Sequence, residues 1–132
     1  MGFLMGQEKN FENRVKDFLK QSGCWFIKYW GGGEFTKSGV PDILVCCHGY
    51  FIGLEVKSKT GKPSGLQIKN IRDIHQCGGF GILLYPQDFH RFKSLIGNLQ
   101  AGDDVGAMDD YHYFQRVWHP WLTKYRMEGV IA

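Results

Sequence analysis

The chain has 132 residues, a formal net charge of +3, 15% aromatic residues and four cysteines. That length supports one hydrophobic core without metal or disulfide staples, and so modest a charge does not by itself argue for a polyanionic partner. Cys24, Cys46, Cys47 and Cys77 show no CxxC spacing, which speaks against a disulfide framework or a zinc knuckle and for reduced core thiols. No basic leader and no long apolar run is present, so the expectation is a cytoplasmic protein without a membrane segment.

From about Glu8 to Ser22, Phe11, Val15, Phe18 and Leu19 recur at helical spacing, and Gly23 stands where a C′ glycine ends a helix. Glu12 lies three residues before Val15, so it borders the apolar stripe. Cys24 to Trp30 is aromatic and β-branched and reads as the first strand. The following stretch, Gly31 to Gly39, contains three consecutive glycines and predicts a mobile loop. Lys37 and Ser38 sit at its end, where they can approach a phosphate; a plain long connection explains the loop equally well.

The segment Val40 to Ser58 organises the chain. Ile43 to Cys47 and Tyr50 to Leu54 are hydrophobic runs separated by His48-Gly49, a two-residue hairpin signal. Centring the hairpin there pairs Cys47 with Tyr50, Val45 with Ile52, Ile43 with Leu54 and finally Asp42 with Glu55. Directly opposite residues share a side of the sheet at about 4.5–5.5 Å between Cβ atoms, where like charges destabilise. Lys57, two residues beyond Glu55, shares that side and neutralises half of the pair. A divalent cation completes the balance with oxygen ligands; two carboxylates hydrated at a strand end are the bland alternative. Ile43, Val45, Ile52, Leu54 and Val56 on one side and Leu44, Cys46 and Phe51 on the other predict a sheet covered by helices on both faces.

Lys57, Lys59, Lys62, Lys69 and Arg72 are cationic and no acid falls between Val56 and Arg72. This run emerges beside the acidic pair, although solvated charge is the usual explanation for such a stretch. Gly61-Lys62 does not make a Walker A loop, since Pro63 and Val56 occupy required positions. Ser64 is a good N-cap for a helix ending near Gly78-Gly79, with Gln67, Ile71 and Ile74 on its buried stripe. Phe80 to Tyr85 reads as the last core strand, parallel to a neighbour because a helix precedes it. Asp88 to Leu99 reads as a helix. Ala101 to Asp110 holds Asp103, Asp104, Asp109 and Asp110 among glycines and predicts a flexible acidic loop placed away from any bound polyanion. Tyr111 to Met127 is aromatic and interleaved with Arg116, Lys124 and Arg126; packing across the domain or against a second copy outweighs base stacking. His112 and His119 lack partners at metal-ligand spacing.

Pro41-Asp42 followed by Glu55-Val56-Lys57 resembles the PD-(D/E)XK nuclease signature. With Glu12 on the first helix, Gly39-Val40-Pro41-Asp42, and Ser64-Gly65-Leu66-Gln67, the order over residues 8–97 resembles the VRR-NUC branch, which is similar to Holliday-junction resolvases. Each piece alone is weak, whereas the four in order are specific. The resemblance implies a single domain over 1–132, with residues 98–132 an extension, and an α/β restriction-endonuclease-like αβββαβ core whose mixed sheet is flanked by helices on both faces. It further implies a metal-dependent DNA endonuclease, with linear duplex, flap and four-way junction all left open as substrates and a preference for branched or four-way DNA resting on fold analogy alone. Asp42, Glu55 and the Val56 carbonyl would hold Mg²⁺ or Mn²⁺, with Glu12 as a further metal residue. Lys57 would serve the attacking water and the phosphate, and Gln67 would position water or phosphate, its alternative being a structural amide bonded to the preceding loop. Lys37, Ser38, Lys59, Lys62, Ser64 and Lys69 would contact DNA. No organic cofactor is implied, and a homodimer would suit a symmetric junction. The competing readings are a non-catalytic DNA-binding or interaction module that keeps the nuclease scaffold, and a metal-free structural protein whose acid pair is salt-bridged to Lys57.

Overall fold

The computed structural model describes residues 2–31, 33 and 36–132, with side chains described from residue 6 onward. The elements run α1 (Gly2–Gln21), β1 (Trp25–Lys28), β2 (Ile43–Cys47), β3 (Tyr50–Val56), α2 (Gly65–Gln76), β4 (Phe80–Leu84), a single 3₁₀ turn (Pro86–Asp88), α3 (Phe89–Ala101) and α4 (Asp104–Met127). The expected αβββαβ order is present. Helix α1 starts six residues before the expected Glu8.

The sheet order is β1-β2-β3-β4, the first two pairings antiparallel and the last parallel. His48 and Gly49 both take positive φ, 51° and 86°, the geometry of a type I′ turn, whose twist matches the flanking strands. The register follows from that turn: Cys47 opposes Tyr50, Val45 opposes Ile52 and Ile43 opposes Leu54. A ladder bond from Tyr29 N–H to the Asp42 carbonyl, 2.8 Å, carries the β1–β2 pairing one step further and fixes the backbone of Asp42.

One face of the sheet is sealed. Ile43, Val45, Ile52, Leu54, Val56, Ile82 and Leu84 pack there against Phe11, Val15 and Leu19 of α1, Phe92, Leu95 and Ile96 of α3, and Tyr111 and Phe114 of α4. The opposite face carries a smaller cluster, in which Ile68 and Ile71 of α2 meet Leu83 and Tyr85 and Trp118 and Leu122 of α4. Helix α4 thus touches α2, α3 and β4 and joins both layers at the β4 side.

Three expectations change. The second face is covered only in part: α2 packs on β3 and β4, while Trp25, Ile27, Cys46 and Phe51 remain exposed. Twelve residues of helix span about 18 Å and cannot roof four strands. The acidic stretch 101–110 is helical. Gly102 takes φ 72° and ends α3, the Asp103 carboxylate accepts the Gly106 N–H at 2.9 Å as N-cap of α4, and Asp110 is buried against Arg91 (3.0 Å) and Asn98 (2.9 Å). Acids near a helix N-terminus are favoured by the backbone dipole, so this charge cluster is a helix start. Of the four free thiols only Cys47 is buried, and Cys46 and Cys77 are exposed.

The expected packing of the aromatic C-terminal stretch is observed, since Tyr111, Phe114, Trp118 and Leu122 are all buried. Among the described residues no helix is long and apolar enough to cross a membrane.

Candidate active site

The hairpin brings Asp42 and Glu55 to one end of the sheet. The Asp42 Oδ2 accepts the Val56 N–H at 3.0 Å, so the backbone of the facing strand holds the first carboxylate. Glu55 is 2% exposed on the half covered by α2. Its Oε2 accepts from Gln67 Nε2 at 3.1 Å and lies 3.6 Å from Lys57 Nζ. Its Oε1 is buried and has no hydrogen-bond donor among the described residues. Burial, reinforced by the facing Asp42 carboxylate and opposed by Lys57, pushes the Glu55 carboxyl up to about 9.

Gln67 is oriented from both ends. Ser64 N–H donates to Gln67 Oε1 at 2.8 Å, and Gln67 N–H donates to Ser64 Oγ at 3.2 Å, a capping box that starts α2. With its oxygen occupied, the amide must turn its NH₂ towards Glu55. Gln67 is half-buried, not part of the buried stripe as expected; Gly65, Ile68, Asn70 and Ile71 form that stripe. The local cap and the contact to the acid are the same side chain's two ends.

Gly39 fixes the approach to Asp42. It takes φ 76°, and a Cβ there would meet the Leu66 backbone at 2.7 Å. Asn70 Nδ2 donates to Ser38 O at 3.1 Å from the same helix. The glycine of the Gly39-Val40-Pro41-Asp42 motif therefore lets the loop press on the first turn of α2 and set the height of the aspartate.

Glu12 enters from α1 and is 6% exposed. Lys28 at the end of β1 donates to Glu12 Oε1 at 2.6 Å and lies 3.6 Å from Asp42 Oδ1. Lys16 is 3.5 Å from Glu12 Oε2 and Lys9 is 4.0 Å away. Burial pushes Glu12 up, but the Lys28 hydrogen bond and charge, with Lys16 behind, outweigh it and hold the carboxyl below its ordinary value. Lys28 is raised in turn: desolvation is outweighed by Glu12 and Asp42. Glu12 thus joins the site through an ammonium bridge. Lys28 was missed in the sequence because it sits inside an apolar strand, and the signal available was its alternation with Phe26 onto the inner face beside α1.

Among the described residues no group of three or more His, Cys, Asp or Glu is arranged to hold a metal ion. The fit of a divalent cation rests on two facing carboxylates, one with a buried, undonated oxygen. Hard oxygen donors in that number suit Mg²⁺ or Mn²⁺ completed by water.

The predicted DNA-contacting residues divide. Lys37, Ser38, Gly39 and Asp42 line one depression together with Tyr29 and Thr36, so the loop leads into the acid pair. Of the glycine-rich loop, Gly32, Glu34 and Phe35 lie outside the described residues. Lys59 and Lys62 are exposed on the turn between β3 and α2, and Ser64 caps α2. Lys69 is paired with Asp73 at 2.8 Å along α2.

Residues 6–77, more than half of the chain, match the family model described as archaeal Holliday junction resolvase (hjc). The match begins in α1 and ends just after α2, so it contains Glu12, Lys28, Asp42, Glu55, Lys57 and Gln67. No curated protein and no solved structure matches.

Proposed function

Because the chain belongs to the archaeal Holliday junction resolvase family, a family of nucleases acting on DNA, we propose that it is a metal-dependent endonuclease selective for branched DNA, four-way junctions first. The observation that carries this reading is the buried Oε1 of Glu55, without a donor among the described residues, on a carboxyl that feels the charge of Asp42 from the other strand of the hairpin. An ionised Glu55 would leave that oxygen unsolvated without a cation, whereas a ligand pair needs an oxygen left free by the protein.

Asp42 and Glu55, with the Val56 carbonyl, are assigned to Mg²⁺ or Mn²⁺. A divalent ion bound there supplies hydroxide at neutral pH and stabilises the departing oxygen. Lys57, held 3.6 Å from Glu55, orients the attacking water and meets charge growing on the phosphate. Gln67, its carbonyl oxygen fixed by Ser64 N–H, presents N–H groups to Glu55 and to the water or phosphate beside it. Lys28 keeps Glu12 charged and Asp42 compensated, and Glu12 places that ammonium. Lys37, Ser38, Lys59, Lys62 and Ser64 follow the DNA backbone, which sets register without reading sequence; Lys69 joins them once released from Asp73. The VRR-NUC likeness rests on four pieces in order, Glu12, Gly39-Val40-Pro41-Asp42, Glu55-Val56-Lys57 and Ser64-Gly65-Leu66-Gln67.

We assign the bare part of the second sheet face, Trp25, Ile27, Cys46 and Phe51, to a second copy of the chain, because a symmetric junction presents two equivalent strands to cut. The test is a cleavage panel of linear, flapped and four-way DNA with Mg²⁺, alongside a solution mass. The expected result is cutting of the four-way substrate only with a divalent ion, loss of cutting by more than about 10³-fold in Asp42→Ala and Lys57→Ala, and the mass of a dimer. Full activity in excess EDTA would overturn the reading.

A further inference from the structure

Trp30 follows β1 and is 73% exposed, although an indole is among the most favourable side chains to bury. Its neighbours make it part of the site. Lys28 Nζ lies 5.4 Å from its ring centroid and Lys9 Nζ lies 5.9 Å away. The ring shares a depression with Gly6, Glu8, Lys9, Glu12 and Lys28. Lys28 is also the ammonium that bridges Glu12 and Asp42, so the indole stands one side chain away from the acid pair. Both lysines bring positive charge to the place where a phosphate backbone would pass, and a flat apolar surface stands next to them.

The other tryptophans do not share this position. Trp118 is buried in the α2–α4 cluster, and Trp121 is packed against it. Trp25 opposes Cys46 at the far end of β1 from Lys28 and points to the opposite side of the sheet.

We propose that Trp30 is a stacking platform for a nucleobase left unpaired or terminal beside the scissile phosphate, and that it gives the chain its preference for branched over continuous DNA. This rests on the nuclease reading given above. Away from the ends of a continuous duplex both faces of each base are covered by its neighbours, and an indole has nothing to cover. At a branch point or flap the helical stack is interrupted and a base presents an open face. Stacking on an aromatic side chain tolerates any base, so the selection is for DNA shape and not for sequence. The flanking lysines add attraction for the adjacent phosphates.

The experiment uses the full chain as wild type, Trp30→Ala and Trp30→Phe. Each is assayed with Mg²⁺ for binding and cleavage of a four-way junction and of a linear duplex of the same sequence, with 2-aminopurine at the branch-point nucleotide. The expected result for Trp30→Ala is junction binding roughly 10- to 100-fold weaker, the range for one base stacked on an aromatic ring, with duplex binding changed less than about twofold. The 2-aminopurine fluorescence is quenched by wild type and by Trp30→Phe and not by Trp30→Ala. Equal losses on junction and duplex with a shifted pH profile of cleavage would make the ring a support for Lys28 and overturn the proposal. An active wild type with an unaltered Trp30→Ala overturns it alone. A wild type that neither binds nor cuts any of these DNAs overturns the nuclease reading and this inference together.

Discussion

Glu12 and Glu55 are both buried at the same end of the sheet, 6% and 2% exposed, yet their carboxyls are driven in opposite directions. Glu12 faces three ammonium groups, the nearest at 2.6 Å, and is held below its ordinary value. Glu55 faces another carboxylate, keeps one oxygen without a donor, and rises to about 9. Burial is common to the two, so counter-charge decides between them. The Glu12 end is a finished ion-pair network. The Asp42–Glu55 end shares Lys28 with Glu12 and holds its second acid towards the protonated form, and a divalent cation would supply the charge that lets Glu55 ionise.

The widest separation between the two ends comes from removing Lys28. Lys28→Met strips Glu12 of its hydrogen-bonded partner and leaves Asp42 uncompensated. A buried charge without its partner costs about 3–5 kcal/mol, so chemical denaturation is expected to show a loss of about 3 kcal/mol, with Lys16 and Lys9 limiting the damage. The double variant Glu12→Gln, Lys28→Met is expected to recover at least half. No recovery would mean that the lysine acts through Asp42 and not through Glu12.

The sign of the pH dependence separates the two glutamates next. Glu55 has a folded value raised above its unfolded one, so its stabilisation is complete below about pH 4.5 and is lost as pH rises towards about 9. The slope for one proton is about 1.4 kcal/mol per pH unit. Glu12, with its value lowered, contributes above its unfolded value and loses that contribution as pH falls through its folded one. Metal-free protein should therefore become less stable from about pH 5 to 9, and Glu55→Gln should abolish most of that fall while raising stability at pH 8. Binding of Mn²⁺ to wild type at pH 7 is expected to release about one proton, measured by calorimetry in buffers of different ionisation enthalpy. A metal-free stability that does not change between pH 6 and 9 would show that Glu55 is ionised without the metal and that the surrounding groups already balance it.

A smaller effect is expected from Gly39→Ala, which disturbs only the unfinished end. The added Cβ meets the Leu66 backbone at 2.7 Å in a backbone conformation that disfavours side chains. About 1–3 kcal/mol of stability is expected to be lost, with junction cleavage falling further than stability accounts for, because Asp42 follows three residues later. Thermal unfolding beside cleavage rates at a temperature where both variants stay folded checks this.

How much of this was legible in the sequence follows the same division. The Asp42–Glu55 juxtaposition was readable because a His48-Gly49 turn counts residues outward on both strands, and the register observed is the one that counting predicts. Lys57 followed from strand alternation. Lys28 was readable only as an inward-facing lysine by its alternation with Phe26; its partner Glu12 was not, because it lies 16 residues away on another element. Gln67 reaches Glu55 from outside the buried stripe expected for it, since α2 periodicity does not register that its first turn is consumed by a capping box. The stretch 101–110 misled for a related reason. Four aspartates among glycines read as solvated loop, but Asp103 is a cap and Asp110 a partner for Arg91 and Asn98, which only the packing of α4 on α3 reveals.

The least costly change tests whether Glu12 depends on its nearest partner or on the sum of its neighbours. Lys16 sits one helical turn from Glu12 at 3.5 Å and is partly exposed, so the pair belongs to the class worth about 0.3–0.5 kcal/mol. Lys16→Met keeps the aliphatic stem and removes only the charge. An expected loss of about 0.5 kcal/mol in denaturant, set beside the much larger cost of Lys28→Met, would show that the strand lysine carries the ion pair. A loss approaching that of Lys28→Met would instead mean that Glu12 is balanced by shared charge from α1. The contrast with Glu55 would then rest on how many cations surround each acid, with the 2.6 Å hydrogen bond from Lys28 a secondary matter.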